Sequence, residues 1–198
     1  MLKGIDISNW QGGLDLTALR GVDFAIMKAT EGTGFVDPFC DTWVRQAGSL
    51  GMLWGFYHFA RSRPAAEEAR FFIENARNYF GCGIPVLDWE VGQSVEWVNE
   101  FVRTVHAETG VWPWIYANPW RFNQGGVEPN CGRWIASYPD VLNPGLDYDP
   151  GEVPETDGLV VCWQYAKAGS GNDDDSNVSG GNAQVLENEE YRVTIERR

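Results

Sequence analysis

Strand patterns and helix patterns alternate along the first 117 residues, and this alternation restricts the fold more than any other feature of the chain. Each short apolar or alternating run predicts a strand, and each is followed by helical signals. Such a succession is typical of parallel strands connected by helices. The predicted strands are Leu2–Ser8, Phe24–Ala29, Leu53–Phe59, one that begins at Pro85, and Trp112–Ala117.

Three longer helices have recognisable ends. An Asp-Pro pair at Asp37 predicts the N-cap of the first helix, and Gly51 ends it. The second helix is predicted at Pro64–Phe80. The third begins after a Ser94 cap and ends at Gly110, because glycine accepts the left-handed conformation that often terminates a helix.

The last third of the chain contains three further predicted strands, Arg133–Ser137, Leu159–Tyr165 and Tyr191–Glu196. Loops rich in Gly, Pro and Asp, rather than helices, join them. With 198 residues and 43% hydrophobic content, the chain can bury one sizeable core. We therefore predict a single α/β domain over residues 1–198, an irregular TIM-like (β/α)5β3 barrel. Residues 182–198 form a tail or the last strand.

Two carboxylates occur where a buried strand should be apolar. Asp88 and Glu90 are two residues apart, so they share one strand face roughly 6.5–7 Å apart, while Trp89 points to the opposite face. Such a pair can have its pKa values driven apart, as glycoside hydrolysis requires. An isolated pair of this kind is more often a solvated strand end, so the other segments must decide.

Further polar residues end the neighbouring strands. In barrels of this type, functional residues collect at the C-terminal strand ends, which form one mouth. Asp6 and Ser8 end the first strand, and Tyr116 and Asn118 end the fifth. Tyr57 and its successor His58 lie on opposite faces of the third, so at most one of them points inward.

Charge and composition exclude several classes of protein. A formal net charge of −13 argues against a nucleic-acid partner and against electrostatic anchoring on an anionic wall. No apolar run approaches membrane-spanning length, and the N-terminus predicts a strand rather than a signal peptide.

His58 and His106 are the two histidines, and the four cysteines lack Cys-x-x-Cys spacing, so no metal or cofactor is expected. Free buried thiols are the first interpretation of the cysteines; a disulfide and a Cys–His pair using His58 stay open.

A late polar loop contains three consecutive aspartates, Asp173–Asp175. A calcium-binding EF-hand loop does not fit, because Val178 stands where glycine is needed and Gln184 where the bidentate glutamate is needed. Most such runs are solvated, although one of the aspartates could fold over the mouth.

Several segments together resemble the lysozymes of glycoside hydrolase family 25. They occur in that family's order from residue 4 to about 181: Gly4–Gln11, Phe24–Gly32, Gly55–Phe59, Leu87–Glu90, Ile115–Tyr116, Trp134–Tyr138 and Trp163–Tyr165. The resemblance implies an irregular barrel of five strand–helix units with additional strands. Trp89 departs from the pattern, which more often has a small aliphatic residue there.

The resemblance also assigns roles to residues. Glu90 corresponds to the catalytic acid, and Asp88 and Asp6 to carboxylates that bind and stabilise the reacting sugar. Asp175 is the best match to a late family aspartate. As a proton donor, Glu90 should have a pKa raised by apolar burial and by the charge of Asp88. Candidate sugar-stacking or core rings are Tyr57, Tyr116 and Trp134.

The predicted function is therefore a peptidoglycan-degrading muramidase that cleaves the β-1,4 bond between N-acetylmuramic acid and N-acetylglucosamine. The alternatives are a non-catalytic glycan-binding module and a cell-wall amidase or peptidase. A retaining, a substrate-assisted and an inverting mechanism all stay open. We expect a monomer that acts on peptidoglycan strands, without nucleic-acid or membrane partners. It would pass from host cytoplasm to wall if it is a phage endolysin, and would otherwise be secreted.

Overall fold

The computed structural model describes residues 2–138, 140, 145–166 and the backbone of 181–185. The strands are β1 Leu2–Ile7, β2 Phe24–Glu31, β3 Phe35–Val36, β4 Leu53–Phe59, β5 Ile84–Asp88, β6 Trp114–Ala117, β7 Arg133–Ala136, β8 Val160–Gln164 and β9 Gly181–Val185. The helices are α1 Cys40–Leu50, α2 Ala65–Ala76, α3 Val95–Thr109 and α4 Pro119–Phe122. Two short 3-10 helices, Asn9–Gln11 and Leu16–Ala18, lie between β1 and β2.

Eight of these strands form a closed sheet. Seven parallel strands follow the order β1, β2, β4, β5, β6, β7, β8, and β9 pairs antiparallel with both β8 and β1. The short strand β3 lies outside this circle, as a hairpin on β2. The predicted α/β barrel with five connected strands followed by three more is thus confirmed.

The position of the closing strand differs from the prediction. Gly181–Val185 closes the barrel, whereas the sequence pattern indicated Tyr191–Glu196, which lies outside the described residues. Gly181 begins a segment of small and polar residues with weak strand propensity, so its pairing with β1 and β8 is determined by the tertiary structure rather than by local sequence.

Two apolar clusters lie on the two faces of the sheet. The inner cluster fills the barrel with Phe24, Ile26, Val86, Trp114, Trp134, Val161 and Cys162. The outer cluster packs the opposite sheet face against α1, α2 and α3. Gly4 is required on the inner face, because a Cβ atom there would lie 2.5 Å from the Phe24 ring. The candidate active site, described below, lies on this inner face at the C-terminal end of the strands.

The helix ends agree only partly with the prediction. Ser94 caps α3 by accepting from the Trp97 backbone N–H, and Gly110 ends that helix with φ 76°. Helix α1 begins at Cys40, not after an Asp37 cap. Asp37 instead accepts from the backbone N–H groups of Asn9 and Phe39 at 2.7 and 2.9 Å, which ties the β1 loop to the start of α1.

A buried hydrogen bond connects β4 with α2, and burial lowers the pKa of His58, which favours its neutral imidazole. His58 Nε2 contacts Glu68 Oε2 at 3.0 Å, and both side chains are fully buried. The Glu68 carboxylate also accepts from the backbone N–H groups of Arg61 and Arg63 at 2.8 and 2.9 Å. Because one carboxylate satisfies three donors, it holds the loop between β4 and α2 in a single conformation. His58 therefore points outward, and its neighbour Tyr57 points into the barrel.

All four cysteines are free: Cys40, Cys131 and Cys162 are buried and Cys82 is exposed. The interpretation as free buried thiols is thus confirmed for three of the four. Within the described residues, no helix has the length and apolarity needed to span a membrane.

Candidate active site

The C-terminal ends of β1 and β5 bring three carboxyl groups, those of Asp6, Asp88 and Glu90, to one mouth. Asp88 ends β5 and is buried, with 8% of its surface exposed. Trp89 turns to the outer side, where its Nε1 donates to the Gln93 carbonyl and its ring packs edge-on to Phe122. Glu90 is exposed. The alternation predicted for Asp88, Trp89 and Glu90 is therefore present, but the apolar burial expected around Glu90 is not.

Asp88 is the most desolvated of these groups. Burial raises its pKa well above 3.8, the charges of Glu90 and Asp6 raise it further, and Lys28 acts in the opposite direction. Its Oδ1 atom is buried and has no hydrogen-bond partner among the described residues. Since a buried oxygen without a partner costs free energy, this atom is suited to accept a hydrogen bond from a ligand.

Asp6 lies across the mouth from Asp88, on β1. Burial raises its pKa from 3.8 to about 7, although a hydrogen bond from Gln164 acts to lower it and the charge of Glu90 adds a smaller increase. Glu90 thus contributes to the raised pKa of both aspartates, which means that the three carboxyl groups interact electrostatically at one place.

Gln164, at the end of β8, connects Asp6 to two tyrosines. Its Nε2 donates to Asp6 Oδ2 at 2.5 Å, and its Oε1 accepts from the hydroxyls of Tyr116 and Tyr138, each at 2.5 Å. The sequence analysis did not select Gln164 or Tyr138 as site residues. Both occur in segments that carry the family resemblance, at or just beyond the ends of strands, and that position was the available signal.

Lys28 is a third site residue that was not predicted from the sequence. It lies two residues after Ile26 on the inner face of β2 and is 6% exposed. Its ammonium group pairs with Glu31 and lies over the Phe59 ring at 5.0 Å. Glu31 also pairs with Arg61 at 2.5 Å. A lysine inside an otherwise apolar strand was the signal for this buried cation, which partly balances the carboxyl groups.

The three predicted stacking residues lie on the inner face of the barrel, on β4, β6 and β7. Tyr57 interacts with Ser8, and burial together with the charges of Asp88 and Asp6 raises its pKa well above 10. Tyr116 and Trp134 are only 7% and 3% exposed, and their rings pack edge to face at 4.8 Å. Their environment is that of core residues at the floor of the mouth. The Asp175 prediction lies outside the described residues.

Large exposed aromatic side chains occur instead at the rim. Trp10 follows β1 and is 84% exposed, and Trp120 follows β6 and is 69% exposed. In the closed order of eight strands, β1 and β6 are four strands apart and therefore lie on opposite sides of the barrel. Such rings can pack on the apolar faces of sugars.

The described residues contain no group of three or more His, Cys, Asp or Glu side chains that could hold a metal ion. The arrangement is instead a set of carboxyl groups with different environments: one exposed, one partly buried beside an amide, and one buried with a free oxygen. Such a set can donate a proton and stabilise positive charge at a sugar.

The TIM-like barrel and the carboxyl groups at its C-terminal mouth form the arrangement expected of a glycoside hydrolase. The comparison with family models specifies it further: residues 5–174 match glycosyl hydrolases family 25, and the chain belongs to this family. This finding confirms the resemblance described above, and it decides for a glycoside hydrolase over an amidase or peptidase.

Individual relatives agree with this assignment. The N,O-diacetylmuramidase of Chalaropsis sp is 30% identical over 86% of this chain and 92% of its own length. The autolytic lysozyme of Clostridium acetobutylicum is 29% identical over 86% of this chain, which spans about half (52%) of that relative. A muramidase structure from Acremonium alcalophilum has a TM-score of 0.72 at 26% identity and covers 96% of both chains.

Proposed function

We propose that this chain cleaves the β-1,4 bond between N-acetylmuramic acid and N-acetylglucosamine in peptidoglycan, with Glu90 as the general acid. The observation that carries the proposal is the difference between the three carboxyl groups at the mouth. Glu90 is exposed and can reach a glycosidic oxygen, whereas Asp88 is buried and Asp6 is partly buried. A proton donor for the leaving group must contact the substrate, and Glu90 is the carboxyl group best placed for this contact.

Asp88 is proposed to hold the reacting sugar. Its unpaired Oδ1 can accept the N–H of a substrate N-acetamido group, which would both satisfy that oxygen and orient the acetamido carbonyl toward the anomeric carbon. This supports the substrate-assisted route among the three that the sequence left open. Retention of the anomeric configuration, measured by NMR of fresh products, is expected, whereas inverted products would exclude it.

Asp6 is proposed to stabilise the positive charge that develops on the sugar ring. This role requires the ionised form, and the pKa of Asp6 is about 7. Activity should therefore rise with pH through the neutral range as Asp6 ionises.

The rim and the floor of the mouth are proposed to share substrate binding. Trp10 and Trp120 offer exposed ring faces on opposite sides, so a glycan strand that crosses the mouth can contact both. Tyr57, Tyr116 and Trp134 shape the floor beneath the bound sugar. Asp175 remains a candidate fourth carboxylate on the strength of the family resemblance.

The family implies a peptidoglycan substrate, and the finer aspects of location and assembly are proposals. We propose a monomer that acts in the bacterial wall, reached either by export or by release of a phage endolysin from the host cytoplasm. No nucleic-acid or membrane partner is proposed, given the net charge of −13.

Reducing-end analysis tests this function directly. Purified peptidoglycan is digested, reduced with borohydride and examined by mass spectrometry, and Glu90→Gln serves as the matched inactive control. Fragments that end in muramitol are expected. Reduced N-acetylglucosamine ends would indicate a glucosaminidase, and free peptide amines would indicate an amidase or peptidase. Peptidoglycan that is bound but not cleaved would indicate a glycan-binding module. Any of these results would overturn the proposal.

A further inference from the structure

The amide of Gln164 is the centre of a hydrogen-bonded chain that crosses from β8 to β1. It contacts Asp6 through Nε2 and the two tyrosine hydroxyls through Oε1, all at 2.5 Å. Gln164 is 5% exposed and Tyr116 is 7% exposed, so water does not compete freely for these bonds. The chain joins residues 158 positions apart in the sequence.

The ionised form of Asp6 determines which end of the amide faces it. A carboxylate only accepts hydrogen bonds, so a reversed amide would place its oxygen against the carboxylate oxygen without a hydrogen atom between them. With Nε2 toward Asp6, the amide oxygen has two lone pairs that accept from the hydroxyls of Tyr116 and Tyr138. The two tyrosines therefore hold the amide in the orientation that the carboxylate requires.

We propose that Gln164 is a positioning residue for Asp6, and that Tyr116 and Tyr138 fix its amide so that it holds the carboxylate ionised and aimed into the mouth. The inference rests on the proposed function, in which Asp6 acts as an anion. Among the described residues, Gln164 is the side chain that donates a hydrogen bond to this carboxylate.

Other titratable groups surround Asp6 and contribute to its behaviour. They lie on or just after β4 to β8 and comprise Tyr57, Asp88, Glu90, Tyr116, Tyr138 and Cys162, and the cation Lys28 lies on β2. Burial and the charge of Glu90 oppose ionisation of Asp6, and the amide donor acts against them. Removal of that donor should therefore have a visible effect on the titration.

The first test measures the carboxyl group itself. NMR titration of aspartate-labelled protein, with the Asp6 signal assigned by its absence in Asp6→Asn, gives the midpoint without any substrate. In Gln164→Met we expect the midpoint to move to higher pH, with a change of roughly tenfold or more in the ionisation constant, because a hydrogen bond to a charged group is lost. Gln46→Met is the matched control, since it also removes one amide contact, 3.0 Å from the Leu16 N–H, far from the mouth.

The second test connects the midpoint to turnover. The acidic limb of kcat should shift to higher pH in Gln164→Met by the same amount as the NMR midpoint, and it should not move in Gln46→Met. In the Asp6→Asn background, Gln164→Met should cause little further loss of kcat, because Gln164 acts through Asp6.

The outcomes separate the two hypotheses. An unmoved NMR midpoint in folded Gln164→Met overturns the positioning role, and so does a moved midpoint with an unchanged kcat profile. A parent protein that binds but does not cleave peptidoglycan overturns the proposed function, while the NMR midpoint still decides the pairing. If Gln164→Met does not fold, Gln164→Glu keeps the side-chain shape and introduces a second acid, so an upward shift is again expected and an unmoved midpoint is again a refutation.

Discussion

Replacement of Asp6 by asparagine should stabilise the protein increasingly as the pH rises. The carboxyl group has a pKa of about 7 in the folded chain and 3.8 as its ordinary value, so the folded state binds its proton more tightly than the unfolded state does. Between these values, each pH unit of increase therefore removes stability from the parent protein. Asparagine does not ionise, and its amide oxygen can still accept from Gln164.

The size of the effect follows from the shift in pKa. At about 1.36 kcal/mol per unit, the gain in the free energy of unfolding is near zero below pH 3, about 1.6 kcal/mol at pH 5, about 3 kcal/mol at pH 6 and about 4 kcal/mol at pH 8. These are upper values, because the neighbouring Asp88 also titrates in response to Asp6. For a chain of this length, each kcal/mol corresponds to about 2–4 °C in Tm.

Urea unfolding of both proteins at several pH values between 3 and 8 measures the difference. The signature is the pH dependence, not the gain at a single pH, since better packing alone would give a constant offset. A difference that stays flat or decreases from pH 4 to pH 8 would refute the burial argument for Asp6. The same variant should lose activity on peptidoglycan, so that stability and catalysis change in opposite directions.

Four further predictions concern other parts of the molecule. Glu90→Gln should keep its Tm, because the side chain is exposed, yet lose at least roughly 100-fold in kcat, whereas Glu100→Gln on the exposed face of α3 should change neither. Glu68→Ala should cost about 3–5 kcal/mol in urea unfolding, because the His58 ring and two backbone N–H donors lose their acceptor, while Glu67→Ala, one residue away and exposed, should cost little. EDTA should leave activity intact, since the proposed chemistry uses carboxyl groups; a loss that zinc or calcium restores would revive a metal mechanism. When Asp173, Asp174 and Asp175 are changed singly to Asn, one of the three variants should have reduced activity on peptidoglycan. Three fully active variants would mean that these aspartates are only solvated.

Local pattern was sufficient for most of the fold. Short apolar or alternating runs located β1, β2, β4, β5 and β6, and end signals such as Ser94 and Gly110 located the limits of α3. These features depend on residues close together in the sequence, where side-chain direction and backbone preference are predictable. The same local rule placed Asp88 and Glu90 on one face and Trp89 on the other.

Features that depend on distant pairings were not predictable in this way. The Asp37 cap prediction was wrong, because the carboxylate is shared with the Asn9 N–H of another loop. Gln164 has no local signal of its role, since its partner Asp6 becomes its neighbour only after the barrel closes. Likewise, the exposure of Glu90 depends on the loops around the mouth rather than on β5.

The antiparallel strand β9 has a consequence for the order in which the protein forms during synthesis. It pairs Asp6 with Gly181 and Gln164 with Ala183, so the barrel cannot close until residue 185 has left the ribosome. Until then, β1 and β8 are free edges whose unpaired backbone groups can associate with other chains. Contacts of such long sequence separation also form slowly. The Asp6–Gln164 contact is therefore among the last barrel contacts to be made, and the nascent chain acquires this part of its site only after residue 185 has emerged.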